Sequence, residues 1–144
     1  MISPLAFTVA LVTWTDAQHE LSAVRKAVFV VEQHVPEALE WDDIDAQCMH
    51  ALARDVYGCA IGTARLLPDG HLGRMAVLAP WRGQGVGAAL LRKLLDAARE
   101  RGELRVELSA QTHALGFYHR FGFTVASDEY EEAGIPHRRM QLTL

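Results

Sequence analysis

Larger apolar residues alternate with smaller ones at the start of the chain. Leu5, Phe7, Val9 and Leu11 interleave with Ala6, Thr8 and Ala10, the period of two expected of a strand ending near Trp14. Asp16 then stands where an N-cap would, ahead of a helix carrying Leu21, Val24, Arg25, Val28 and Phe29. Residues 32–47 lose this periodicity and read as a loop with Pro36 and six carboxylates. Strands are expected over 48–55, 59–67 and 72–78, antiparallel because Val56-Tyr57-Gly58 and Pro68-Asp69-Gly70 supply turns. After the turn Arg82-Gly83-Gln84-Gly85-Val86-Gly87, the pattern becomes helical. Gly87, Leu90, Leu91, Leu94, Leu95 and Ala98 share one face, and Gly102 suits the C′ position. Residues 105–109 read as a strand, Thr112 as the cap of a helix running to Phe121, and 123–126 and 138–144 as final strands joined by an acidic loop. The expected product is one α+β domain over residues 1–144, without repeats or linkers.

Composition narrows the function. The chain has 144 residues, 50% of them hydrophobic and 22% charged, with a net charge of −4. This is the balance of a globular domain, and a dedicated nucleic-acid binder would be basic. No Lys or Arg precedes Arg25 and no small-residue cleavage site follows the apolar opening, so neither export nor a membrane anchor is expected and the cytoplasm is the expected location. Cys48 and Cys59 are the only cysteines. The hairpin places them too far apart to bridge at ~3.3 Å per residue, so two free thiols and no metal cluster are expected.

The charge is unevenly spread. Residues 1–64 hold three basic and nine acidic side chains, residues 65–105 eight and four, and residues 106–144 three and five. A positive middle suits an anionic ligand, and acidic flanks suit a cationic one. The glycine turn sharpens the first idea. Glycines at 83, 85 and 87 let backbone approach a ligand at a helix N-terminus, whose unpaired N–H groups favour phosphate, and Arg82 adds a charge at the rim. A nucleotide P-loop is excluded because Ala88-Ala89 follows Gly87, where Lys-Ser/Thr is needed. A dinucleotide fold is excluded by the G-x-G-x-G spacing and by the hairpin-rich sequence that precedes it.

The stretch Arg82–Gly87 resembles the R/Q-x-x-G-x-G/A signature of the GNAT superfamily of N-acyltransferases. Ala114 to Phe123 resembles that family's A-x-x-F-Y-x-x-x-G-F pattern. The runs Arg25–Gln33, Glu40–Asp45 and Gly134–His137 are similar to its ElaA-type subgroup. The resemblance implies a single-domain GNAT-like fold: a mixed, mostly antiparallel sheet with flanking helices and a splayed pair of parallel strands. It also implies acetyl-CoA as cosubstrate. The pyrophosphate would lie on the turn, Arg82, Gly83, Gln84, Gly85, Val86, Gly87 and Ala88, and the pantetheine arm along Met75, Ala76 and Val77.

Acetyl transfer from a thioester to an amine needs a neutral amine, a stabilised oxyanion and a protonated leaving thiol. Tyr118 is the expected donor to the sulfur, since a phenol is protonated at neutral pH. Glu107, His137 and a chain of water to bulk are alternative routes for the amine proton. Glu32, Trp41, Asp42 and Asp45, with His137, are the expected receivers of a cationic small-molecule or peptide amine. No nucleic acid or membrane partner is expected, and a homodimer is left open. Two other readings also stay open: a relative of the acyl-homoserine-lactone synthases, which Arg25, Phe29, Trp41, Asp42, Asp45 and the run Gly62–Pro68 resemble, and a non-catalytic CoA sensor.

Overall fold

The computed structural model describes residues 6–144, so Leu5 of the expected first strand lies outside the described residues. The strands are β1 (Phe7–Val12), β2 (Met49–Asp55), β3 (Ala60–Leu66), β4 (His71–Val77), β5 (Arg105–Gln111), β6 (Thr124–Val125), β7 (Tyr130–Glu132) and β8 (Ile135–Thr143). The helices are α1 (Trp14–Arg25), α2 (Glu37–Glu40), α3 (Val86–Glu100) and α4 (Leu115–His119). One sheet runs β1-β2-β3-β4-β5-β8-β6, with β7 also on β8. Every pairing is antiparallel except β4 with β5, giving the expected α+β, mostly antiparallel architecture.

The turns form for the reasons their residues suggest. Asp55 Oδ1 accepts from the Tyr57 and Cys59 amides at 2.9 Å, and Asp69 Oδ1 accepts from His71 N at 3.1 Å, so each hairpin is closed by its own aspartate. Cys48 is buried and Cys59 exposed, both as free thiols. The leucine stripe of α3 seals one face of the sheet against Ala51, Val106, Leu108, Phe123 and Met140. A methyl on Gly62 of β3 would lie 3.0 Å from Val86 Cγ1 and 3.1 Å from Leu90 Cδ1, so glycine there lets α3 approach closely. α1 covers the other face through Leu21 and Val24, and its continuation adds Val28.

Four local expectations are corrected. Thr13, not Asp16, caps α1, its Oγ1 accepting from Asp16 N at 3.1 Å; Asp16 sits in the first turn, where its charge favours the helix dipole. The helix reaches Val28 and Phe29 as expected, but past Arg25 it is π-helical, over Lys26–Glu32. Thr112 caps nothing: a 3₁₀ turn over Thr112–Ala114 intervenes and α4 begins at Leu115 without a side-chain cap. The late acidic loop is largely the β7–β8 hairpin, turning at Ala133 and Gly134, both with positive φ.

The acidic loop at 37–45 is docked by charge. Arg25, 1% exposed, reaches Glu40 Oε2 at 2.8 Å and Asp45 Oδ1 at 2.7 Å. Arg65 of β3 reaches Asp45 at 2.9 Å and Asp42 Oδ2 at 2.8 Å. Arg74 of β4 closes the set, 3.1 Å from Glu40 Oε2 and 3.4 Å from Asp42. The Arg25 guanidinium lies between the rings of Trp14 and Trp41, 5.6 and 5.3 Å from their centroids. Removing one member of a buried set strands an opposite charge, which costs roughly 3–5 kcal/mol. Arg25→Met is therefore expected to lower unfolding stability by about that much in urea titration. Lys26→Met, which loses only the exposed contact to Glu37 at 3.5 Å, is expected to change it by less than ~1 kcal/mol.

Candidate active site

The site is built where β4 and β5 part. They pair only at His71↔Glu107 and Leu72↔Leu108, although β4 runs on to Val77 and β5 to Gln111. The cause lies in β4. Its register against β3 slips between Thr63 and Arg65, and Arg74 takes a left-handed φ of 49°. A bulge of this kind bends its strand. Beyond Leu72 the facing strand edges are therefore free to take a polar chain between them.

The glycine turn sits at the open end of this cleft. Gly83 and Gly85 have φ of 77° and 87°, and a methyl on either would meet nothing within 4 Å among the described residues. Gly85 is the N-cap of α3, so the first amides of that 15-residue helix face an open approach. Gly87 has a different use: a methyl there would lie 3.5 Å from Phe117 and 3.9 Å from Met75 Sδ. It brings α3, α4 and β4 together.

Tyr118 completes that junction. Its hydroxyl points at Met75 Sδ, 3.8 Å away, and its ring packs edge-on against Phe117 and Phe123 at 5.0 and 5.8 Å. A thioether is a weak acceptor, so this hydroxyl has no strong partner among the described residues. Burial pushes its pKa up to about 12. The same side chain thus packs the junction and presents a hydroxyl there.

Of the two side chains considered for the amine proton, the structure separates one from the cleft. Glu107 lies at the closed end, opposite His71, with Oε2 at 3.2 Å from His71 Nε2 and Oε1 at 3.0 Å from Arg105 Nη2. Four residues of strand, ~13 Å, separate it from Gln111 at the open end. His137 lies beside the open end, directly across from Gln111 on β8. Its Nδ1 is 2.6 Å from the Ile135 carbonyl, which can only accept, so Nδ1 donates there and Nε2 is the nitrogen left for another partner. Tyr130 stacks on that ring at 6.2 Å, and Glu132 lies 3.5 Å from Nε2.

The expected amine receivers are not free carboxylates. Asp45 is 3% exposed and held by Arg25 and Arg65, and Asp42 is clamped by Arg65. The Arg65 guanidinium beside Asp42 holds its carboxyl below the usual range. Trp41 is stacked on Arg25, and Glu32 forms a bidentate pair with Arg82. Arg82, expected at the phosphate rim, is thus already engaged, its Nε also donating to Val77 O at 3.0 Å. These residues would need their arginine partners displaced before meeting a ligand.

Three residues gain importance that sequence reasoning left aside. Arg74 carries the bulge, and Gln33 and Gln111 form a reciprocal amide pair between the end of the π-helical segment and the end of β5, at 2.9 and 3.4 Å. No local pattern marks these contacts. The glutamines are 78 residues apart, and only the fold brings them together.

Comparison with known proteins agrees with this geometry. Residues 15–144 match the family model described as Acetyltransferase (GNAT) domain. The chain is 39% identical over 127 residues to the uncharacterised protein YyaT of Bacillus subtilis, covering 83% of this chain and 84% of that one. It is 34% identical over 147 residues to Protein ElaA of Escherichia coli, covering 88% and 94%; the crystal structure of ElaA superposes with a TM-score of 0.84 over 94% of this chain and 99% of that one. A crystal structure of an acyl-CoA N-acyltransferase from Pseudomonas aeruginosa, 32% identical, also gives a TM-score of 0.84 over 94% and 99% of the two chains. The fold is thus that of these solved relatives, and the chain belongs to the GNAT family of acetyltransferases.

Proposed function

We propose that the chain uses acetyl-CoA as donor and transfers the acetyl group directly to a primary amine, of a small molecule or a peptide, while both are bound. The observation that carries this reading is the convergence of three features: the left-handed glycine turn, the unpaired edges of β4 and β5, and the Tyr118 hydroxyl at Met75. The turn has room for a pyrophosphate, because none of the described residues stands within 4 Å of where side chains would begin at Gly83 and Gly85. The amides of Gln84 to Ala88 would hold it, and the free edge of Met75 to Val77 would pair with the amides of the pantetheine arm. Acetyl-CoA supplies the activated thioester.

The side chains then divide the work. Tyr118 donates its proton toward the departing sulfur. The apolar surroundings that raise the phenol to about 12 also raise a buried thiolate, so the two groups stay closer in proton affinity than their solution values suggest. His137 takes the amine proton on Nε2, with Nδ1 anchored to Ile135 O. Ser109, Tyr130 and Glu132 stand beside it, the Ser109 and Tyr130 hydroxyls in contact, and offer polar contacts to the acceptor. Glu107 keeps its structural pairs and takes no part.

Three substitutions test this division. Gly85→Glu is expected to abolish CoA binding in calorimetry, since it puts a carboxylate and a strained φ of 87° where the anion would sit; unchanged affinity in a folded variant removes the assignment. Tyr118→Phe should lower kcat about a hundredfold with CoA affinity retained, whereas a pure packing role predicts little change in turnover. His137→Gln should also lower kcat about a hundredfold, with CoA affinity unchanged, and full turnover would return the proton to solvent.

A further inference from the structure

We infer that Glu32 is a positioning residue: it holds Arg82 away from an anion at the glycine turn, and breaking this pair loosens the π-helical segment over the acceptor side of the cleft. The inference rests on the functional reading above, because it needs an anionic ligand at the turn.

Arg82 opens the glycine signature, yet its guanidinium already has a bidentate partner, with Nη2 at 2.7 Å from Glu32 Oε1. Both side chains are 42% exposed, so the pair is open to competition. Phosphate and carboxylate offer the same planar fork the same geometry, and an exposed pair is held weakly. A phosphate oxygen at the turn is therefore placed to take the guanidinium, while the Nε bond to Val77 O keeps the side chain at the turn.

The consequence lies in what Glu32 terminates. Residues 26–32 form a π-helical segment, an unusual conformation that must be held by its surroundings. Val28 is its only buried residue, and Val31 is 64% exposed. Packing therefore holds the start of the segment and two polar clasps hold its end: Glu32 to Arg82 of the donor turn, and Gln33 to Gln111 of β5. Because adjacent residues make the two clasps, releasing the first slackens the second. Gln111 lies across from His137, so the slack appears where the acceptor would enter. Donor and acceptor binding are then linked, and linkage is reciprocal.

CoA titrations of the wild type, Glu32→Gln, Arg82→Gln and the double variant test this. Glu32→Gln is expected to tighten CoA binding about two- to fivefold, the range of an exposed pair, and to do nothing in the Arg82→Gln background. Hydrogen exchange on the wild type gives a second readout. CoA should speed exchange of the Gln33 and Val35 amides, which bond to Val28 O and Phe29 O. Unchanged or weaker binding by Glu32→Gln, an equal gain without Arg82, or slower exchange at these amides would each overturn the inference. A wild-type chain that does not bind CoA overturns the functional reading itself, a result distinct from CoA binding that ignores Glu32.

Discussion

The structure depends on a lattice of three arginines and three carboxylates between the sheet and the 37–45 segment, with Arg25, Glu40, Asp45 and Arg65 buried and Asp42 and Arg74 half-buried. Arg25, Arg65 and Arg74 come from α1, β3 and β4, and Glu40, Asp42 and Asp45 from one stretch of chain. Each carboxylate is shared by two guanidinium groups, so no charge in the set can be withdrawn singly. The planar fork of arginine makes such sharing feasible, where the point charge of lysine would not. The segment it docks contributes little apolar burial of its own, with Leu39 59% exposed. Charge, rather than a hydrophobic staple, decides where this stretch lies.

The same lattice reaches into the cleft. Arg74 belongs both to the lattice and to the bulge, and a left-handed φ costs a non-glycine residue roughly 1–2 kcal/mol. Its bonds to the Glu40 carbonyl at 3.2 Å and to Asp42 offset that cost. The splay of β4 from β5 is thus tied to the position of the acidic segment. Movement in one would be felt in the other, since a packed ionic set does not deform smoothly.

The architecture was largely legible because its signals are local. Alternation, turn residues and the leucine stripe place β2, β3, β4 and α3 within about one residue of their observed bounds. The glycine turn and Tyr118 were legible as motifs, and the structure brings both to one junction at Met75. What failed was the reading of charge. Six carboxylates without a nearby basic residue look like a surface for a cation, but their partners Arg25, Arg65, Arg74 and Arg82 lie before or after them in the chain. β7 was hidden for a related reason. Tyr-Glu-Glu is exposed throughout and carries no alternation, and pairing with β8 alone makes it a strand.

Pairing also changes what the positive middle of the chain can do. Arg65, Arg74, Arg82, Arg99, Arg101 and Arg105 all meet carboxylates, and Arg92 lies over Phe121 at 5.5 Å. An anion at the glycine turn would therefore be met first by backbone amides and a helix dipole, since Arg82 beside it is already paired. Amides cannot reorient as side chains do, so their aim is set by the placement of α3. That placement rests on the close approach of Val86 and Leu90 to Gly62. A glycine with no chemistry of its own thus fixes the direction from which an anion would be held.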